Sequence, residues 1–180
     1  MNKCIIFLIV VLMLYSCENA NTSNLVLAYH NNGKIEIEVR NDTMYHYYLS
    51  GKVQSKVRFV NNQRQGYSYV FFSNGDTASI VHYKNGIIDG KMVSFFENGN
   101  KKVIGDYKKG KQQGYKYYFY ENGNIELKYY AEEGIRKGWQ YEYYENGNLQ
   151  VKYFIDNVEE ISEEIYYDSL GNVIEKISAK

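Results

Sequence analysis

Proline is missing from this chain, and among 180 residues tryptophan occurs once, cysteine twice and histidine three times. Without proline, every chain reversal has to be made by Gly, Asn or Asp, and glycine alone contributes 15 residues. The formal net charge is +0, which removes bulk electrostatic support for a nucleic-acid role. His30, His46 and His82 are scattered, with no HxxxH-type spacing and no matching carboxylate set. There is no nucleophile elbow and no Gly-rich phosphate loop opening a helix. The sequence therefore argues for a protein without catalysis, metal or cofactor. Long apolar runs are also missing, apart from one at the front.

That run, Cys4 to Tyr15, follows the short basic start Met1-Asn2-Lys3 and is too short to span a bilayer comfortably, so it reads as a signal peptide. It ends in Leu14-Tyr15-Ser16-Cys17, which resembles the bacterial lipobox. The resemblance implies cleavage before Cys17 and lipidation of its thiol, with the protein held on a membrane, in the outer membrane by expectation, facing the periplasm or cell surface. Cys4 leaves with the signal (residues 1–16), so no free thiol and no cysteine chemistry remain. The other reading of the segment is an ordinary secretory signal with an incidental cysteine. Residues 17–24 are then a polar tether; the seven residues Glu18 to Asn24 span roughly 15 Å as a flexible coil. The folded domain is expected over 25–180.

Tyrosine is abundant, with 21 copies beside 8 phenylalanines, and it is periodic. Gly51, Gly75, Gly99, Gly123, Gly147 and Gly171 follow one another at intervals of 24 residues, and Gly66, Gly90, Gly114 and Gly138 form a second series of the same period. Six units start at 42, 66, 90, 114, 138 and 162, after an irregular hairpin around Asn32-Gly33. Within a unit, Tyr115, Tyr117 and Phe119 alternate with Lys116, Tyr118 and Tyr120, the period of a β-strand. Asn122-Gly123 and Asn146-Gly147 read as tight hairpin turns with positive φ, and Lys108-Lys109-Gly110 and Glu132-Glu133-Gly134 as looser turns between units.

The segments "GYKYYFYENGNIELKYYAEEG" and "GWQYEYYENGNLQVKYF" resemble the bacterial variant of the MORN repeat, over about residues 42 to 175. This implies an all-β fold, an elongated, twisted antiparallel sheet of successive β-hairpins. Bacterial proteins of this kind often carry the label of antitoxin components, which repeats alone do not establish.

Three surfaces carry the functional expectations. The fourth and sixth positions of each unit, among them Tyr69, Tyr117 and Tyr141 with Phe71, Phe95 and Phe119, read as an apolar core ridge, gaps filled by Val57, Val81, Tyr129 and Tyr153 from return strands. The seventh-position aromatics Tyr48, Phe72, Phe96, Tyr120 and Tyr144 point to the opposite face among polar residues; they suit either ligand stacking or cross-strand pairing. A central cluster including Lys108, Lys109 and Lys111, set against a terminal one of Glu159, Glu160, Glu163 and Glu164, suits docking to anionic groups or plain solvation. Asp42-Thr43-Met44, Asp76-Thr77-Ala78 and Asp168-Ser169-Leu170 resemble O-glycosylation acceptors of exported proteins. The reading is a membrane-anchored repeat scaffold that binds an envelope protein or glycan through these aromatics and lysines. The alternative is an antitoxin or immunity protein that neutralises a toxin partner. Oligomeric state is not legible.

Overall fold

A computed structural model describes residues 24–156 and 160–178. Cys17, most of the tether and Glu159 lie outside the described residues. The elements are β1 (Leu25–Tyr29), β2 (Ile35–Arg40), β3 (Thr43–Tyr47), β4 (Val53–Val60), β5 (Gln63–Arg64), β6 (Gly66–Phe71), β7 (Thr77–Lys84) and β8 (Ile87–Phe95). They continue as β9 (Lys101–Lys108), β10 (Lys111–Phe119), β11 (Ile125–Glu132), β12 (Ile135–Arg136), β13 (Gly138–Tyr143), β14 (Leu149–Ile155), β15 (Ile161–Tyr167) and β16 (Val173–Ser178). All 16 belong to one open antiparallel sheet in chain order, with no crossover; β5 and β12 are two-residue extensions paired to β4 and β11. Fourteen strands lie on the path, and at about 4.8 Å per neighbour the sheet runs roughly 60 Å across its strands.

Each hairpin is closed by a three-residue loop, and the chemistry of Glu-Asn-Gly-Asn explains it. Gly123 N donates to Tyr120 O at 3.0 Å and Tyr120 N to Asn124 O at 2.9 Å. Gly123 has φ +94°, while Asn122 stays outside the left-handed region, which is a type I turn followed by a glycine bulge. Asn122 Oδ1 accepts from Asn124 N at 2.9 Å, holding the turn from within. The two-residue turns are the ones between units. Lys109 and Gly110 have φ 51° and 81°, Glu133 and Gly134 53° and 87°, the double positive φ of a type I′ turn. The sequence reading had these two turn kinds reversed. What decided the matter is the register slip at every sixth position, for example between Tyr118 and Phe119, which takes up an extra residue on the Asn-Gly side.

The ladder also fixes the two faces. On the front face, partners run Tyr45, Lys56, Tyr69, Ile80, Val93, Ile104, Tyr117, Lys128, Tyr141, Lys152, Ile165 and Lys176. The expected gap fillers are on the other side: Val57 stands opposite Met44, Val81 opposite Ser68, Tyr129 opposite Lys116 and Tyr153 opposite Gln140. Antiparallel partners share a face, so lysines and isoleucines, not valines and tyrosines, separate the aromatic strands. The ridge is also not an interior. Its fourth- and sixth-position residues are part-buried, with only Ile165 among them deeply buried; of the described residues the other deeply buried apolar side chains, Tyr129, Ala131, Val151 and Ile155, are on the back. A single layer with no second layer opposite it leaves its rings half in water.

Candidate functional site

Position two of each unit pairs across the hairpin with position seventeen, and this pair varies along the front face. It is Thr43–Arg58, then Tyr67–His82, Lys91–Asp106, Tyr115–Tyr130, Trp139–Phe154 and Glu163–Ser178. Three of the six are edge-to-face ring pairs, with centroids 4.8, 5.3 and 5.5 Å apart in chain order. The Lys91–Asp106 ion pair, at 3.3 Å, interrupts them in the middle of the sheet. Two aromatic patches result. The larger one, across β10, β11, β13 and β14, forms an open groove of about 560 Å³ lined by Tyr115, Tyr130, Trp139, Tyr141 and Phe154, with Lys137 and Asp156 at its rim.

Cations rest on these rings. Lys128 Nζ lies 4.7 Å from the Tyr115 ring centroid and 5.5 Å from that of Tyr141; Lys152 Nζ lies 4.9 Å from that of Trp139. Each contact is worth about 0.5–1 kcal/mol at an exposed site. No described carboxylate lies within salt-bridge distance of either ammonium. The smaller patch repeats the scheme, with Lys56 4.5 Å from the Tyr69 ring. Burial raises the Tyr143 hydroxyl above its ordinary pKa against the pull of Lys128.

The seventh-position aromatics are placed differently. Tyr48, Tyr120 and Tyr144 donate their hydroxyls to Phe71 O, Tyr143 O and Tyr167 O of the following unit, at 2.7, 2.7 and 2.9 Å. Phe72 and Phe96 fill the same position without a hydroxyl, and Lys102 Nζ lies 5.3 Å from the Phe96 ring. Tyr120 borders a back-face depression of about 310 Å³ with Tyr118, Leu127, Glu142 and Gln150. Its hydroxyl is raised by burial first and then by Glu126, Glu145 and Glu142. The three tyrosines thus act as staples between units.

The lysine cluster is divided by the fold. Lys108, Lys109 and Lys111 gather at the type I′ turn of β9 and β10, where Lys111 pairs with Glu133 of the next turn at 3.3 Å. Lys101 and Lys102 begin β9, at the opposite edge. Lys116 lies on the back face, opposite Gly105, where a side chain would press on it: an added Cβ would sit 3.2 Å from Lys116 Cγ. Burial lowers the Lys116 ammonium, and hydrogen bonds to Tyr118 and Tyr107 more than offset this, so its pKa ends above the ordinary lysine value. Arg136 caps the same row, 3.8 Å from the Tyr129 ring centroid.

Among the described residues no three His, Cys, Asp or Glu side chains come together as a metal-binding group. His30 Nε2 is bonded to Tyr47 O at 3.0 Å, and His82 Nδ1 to Asp89 O. Thr43 and Thr77 begin strands β3 and β7, while Ser169 is exposed in the last Asn-Gly-type turn.

The front groove was not singled out from the sequence. Its residues were visible there as positions two and seventeen, Tyr115 with Tyr130 and Trp139 with Phe154, each pair 15 residues apart. The missing step was the return-strand parity that sets them opposite each other.

Three stretches, residues 43–61, 88–109 and 136–157, match the MORN repeat variant family. They cover about a third of the chain and fall on every second unit, so these three units are of this repeat type. No curated protein matches the chain. Among solved structures, a GtfA/B complex bound to UDP and GlcNAc is 11% identical over 64% of this chain and 22% of that one, with a TM-score of 0.27. Accessory secretory protein 1,2 and 3 of Streptococcus pneumoniae is 12% identical over 87% of this chain and 24% of that one, with a TM-score of 0.21. This chain thus spans about a quarter of either, and neither likeness bears on its function.

Proposed function

We propose that this protein is a non-catalytic repeat scaffold, tethered to a membrane through a lipidated Cys17, that binds an envelope protein or glycan in the aromatic groove on the front of its sheet. The observation that carries this reading is the groove itself: five rings from four strands, part-exposed, with two lysine ammonium groups lying on them. Part-exposed rings gathered on one face and rimmed by polar groups are a surface that a partner can cover. Large rings with few rotatable bonds also lose little entropy when a partner covers them.

The type I′ turn lysines Lys108, Lys109 and Lys111 and the seventh-position rings Tyr48, Phe72, Phe96, Tyr120 and Tyr144 are secondary contacts in this reading, at one edge and on the back. A tether of roughly 15 Å keeps the sheet close to the membrane, so the partner is a component of the same envelope layer. Neutralisation of a toxin is one form such binding can take, with the toxin as the protein in the groove.

The test is crosslinking in intact cells followed by recovery of the protein from native membranes. The wild type is expected to carry a defined partner that Trp139→Ala loses, and Cys17→Ser is expected to release the protein from the membrane fraction. A partner pattern unchanged by Trp139→Ala would overturn the groove as the binding surface.

A further inference from the structure

We infer that the groove takes a linear acidic polysaccharide with one carboxylate per disaccharide, lying across the strands; this rests on the groove being the binding surface. Period comes first. Tyr115 and Trp139 hold the same position in adjacent units, and the ladder Lys128–Tyr141–Lys152 sets the two lysines two strand spacings apart, about 9–10 Å. Two linked pyranose rings span a comparable length. An occupant of that repeat meets a ring and an ammonium group at each of two steps, Tyr115 with Lys128 and Trp139 with Lys152.

The second argument is chemical. The apolar C–H face of a pyranose stacks on the negative face of an aromatic ring, while its hydroxyls stay in water at an open site. Lys128 and Lys152 stand on the same face as the rings, and Lys176 continues their row on β16. The lysine row therefore complements a carboxylate on every second sugar; the acids beside it are Asp156 of the groove lining and Glu163, opposite Phe154 at the end of the ring row.

The third argument separates sugars from peptides. An extended peptide repeats a side-chain face every two residues, about 6.7 Å, and falls out of step with the sheet. A polyproline II helix, at about 9.3 Å per turn, keeps step. Such a helix docks its side chains into slots between rings. Within each ring pair that slot is closed, because Tyr130 fills the space beside Tyr115 and Phe154 the space beside Trp139 in edge-to-face contact. The lysine row, which matches a carboxylate on every second sugar, then favours the sugar.

Trp139 is the chain's only tryptophan, so its fluorescence reports on the groove alone. The full chain in detergent is titrated with a hyaluronan octasaccharide, with uncharged chitohexaose, and with (Pro-Pro-Glu)4, which has one carboxylate per helical turn. The octasaccharide is expected to shift Trp139 emission and shield it from a soluble quencher, and to bind more tightly than either control. By calorimetry, Lys128→Gln with Lys152→Gln is expected to weaken the octasaccharide by about tenfold, as two exposed ion pairs warrant, and to leave chitohexaose unchanged. Trp139→Phe, which keeps a ring and the fold, is expected to retain most of the affinity. Equal binding of chitohexaose overturns the charge match, and tighter binding of the peptide overturns the sugar. If no glycan binds while a crosslinked envelope protein still depends on Trp139, the glycan assignment falls and the groove reading stands; if that dependence is also lost, both fall.

Discussion

The asparagines of Glu-Asn-Gly-Asn do two jobs at once. Besides closing its own turn, each pair reaches the next: Asn98 and Asn100 both donate to Glu121 O, Asn122 and Asn124 to Glu145 O, and Asn146 and Asn148 to Ser169 O, all between 2.7 and 3.1 Å. The tyrosine just before the turn adds a third link, and it can be tested cleanly because nature varies it. Tyr120→Phe removes only the hydroxyl bonded to Tyr143 O, and Phe72 and Phe96 show that the ring alone fits the position. We expect a loss of about 0.5–1.5 kcal/mol in urea unfolding; no change would mean that water replaces Tyr143 O without cost. Gly123→Ala addresses the turn, since φ +94° disfavours any side chain, and the loss is expected to be about 1–2 kcal/mol by the same measurement. At the other end of the sheet, Arg40 bridges Glu38 at 3.0 Å and bonds Tyr47 Oη at 2.6 Å, closing the front face with an ion pair where aromatic partners run out.

At the scale of the hairpin, successive units interlock at both edges. Gly86 N, Gly110 N and Gly134 N donate to Arg64 O, Ile88 O and Gln112 O of the preceding unit, at 2.9, 2.8 and 3.0 Å. Gln65, Asp89 and Gln113 side chains accept from Asn85 N, Lys109 N and Glu133 N in the same repeating pattern. A whole unit should therefore be removable. Deleting residues 90–113 brings Ile88 O to Gly134 N and Asp89 to Glu133 N with the same spacing that Gln112 and Gln113 have now. The shortened chain is expected to keep a strand-rich circular dichroism spectrum and a cooperative melt at somewhat lower temperature, because each unit contacts only its neighbours. Deleting residues 102–113 instead removes a single strand, puts the two turn types on the wrong edges and is expected to abolish the melt. If both deletions melt alike, the unit is not the building block.

For the molecule as a whole, the consequence of a one-layer sheet is that stability comes from many half-buried tyrosines and few fully buried residues. Burial leads the causes that raise the hydroxyl pKa of Tyr120, Tyr129, Tyr143 and Tyr153. A raised folded-state pKa means that the folded chain holds its proton where the unfolded chain has released it. That contribution is complete below the ordinary tyrosine value, about 10, and is lost as pH climbs through the folded-state values. Melting temperature is expected to hold level to about pH 9 and then fall, while phenolate absorbance rises in step with unfolding. Phenolate formation complete before any loss of structure would show that these hydroxyls are not held by the fold.

The 24-residue period, the strand alternation and the all-β meander were determined by the sequence alone, because repeated turn residues and period-two aromatics are local signals that need no partner to be read. Local signals did not determine which residues meet. Whether Lys128 or Tyr129 faces Tyr117 depends on a register slip at Phe119, and one residue of slip moves a return strand's side chains to the other face. For the same reason the groove of Tyr115, Tyr130, Trp139 and Phe154 emerged only from the paired strands, and most of the tyrosines expected to form a core are part-buried. Alternation tells apolar from polar faces, but only the number of layers decides whether an apolar face is covered. Among the described residues there is one layer, and the front face is left uncovered.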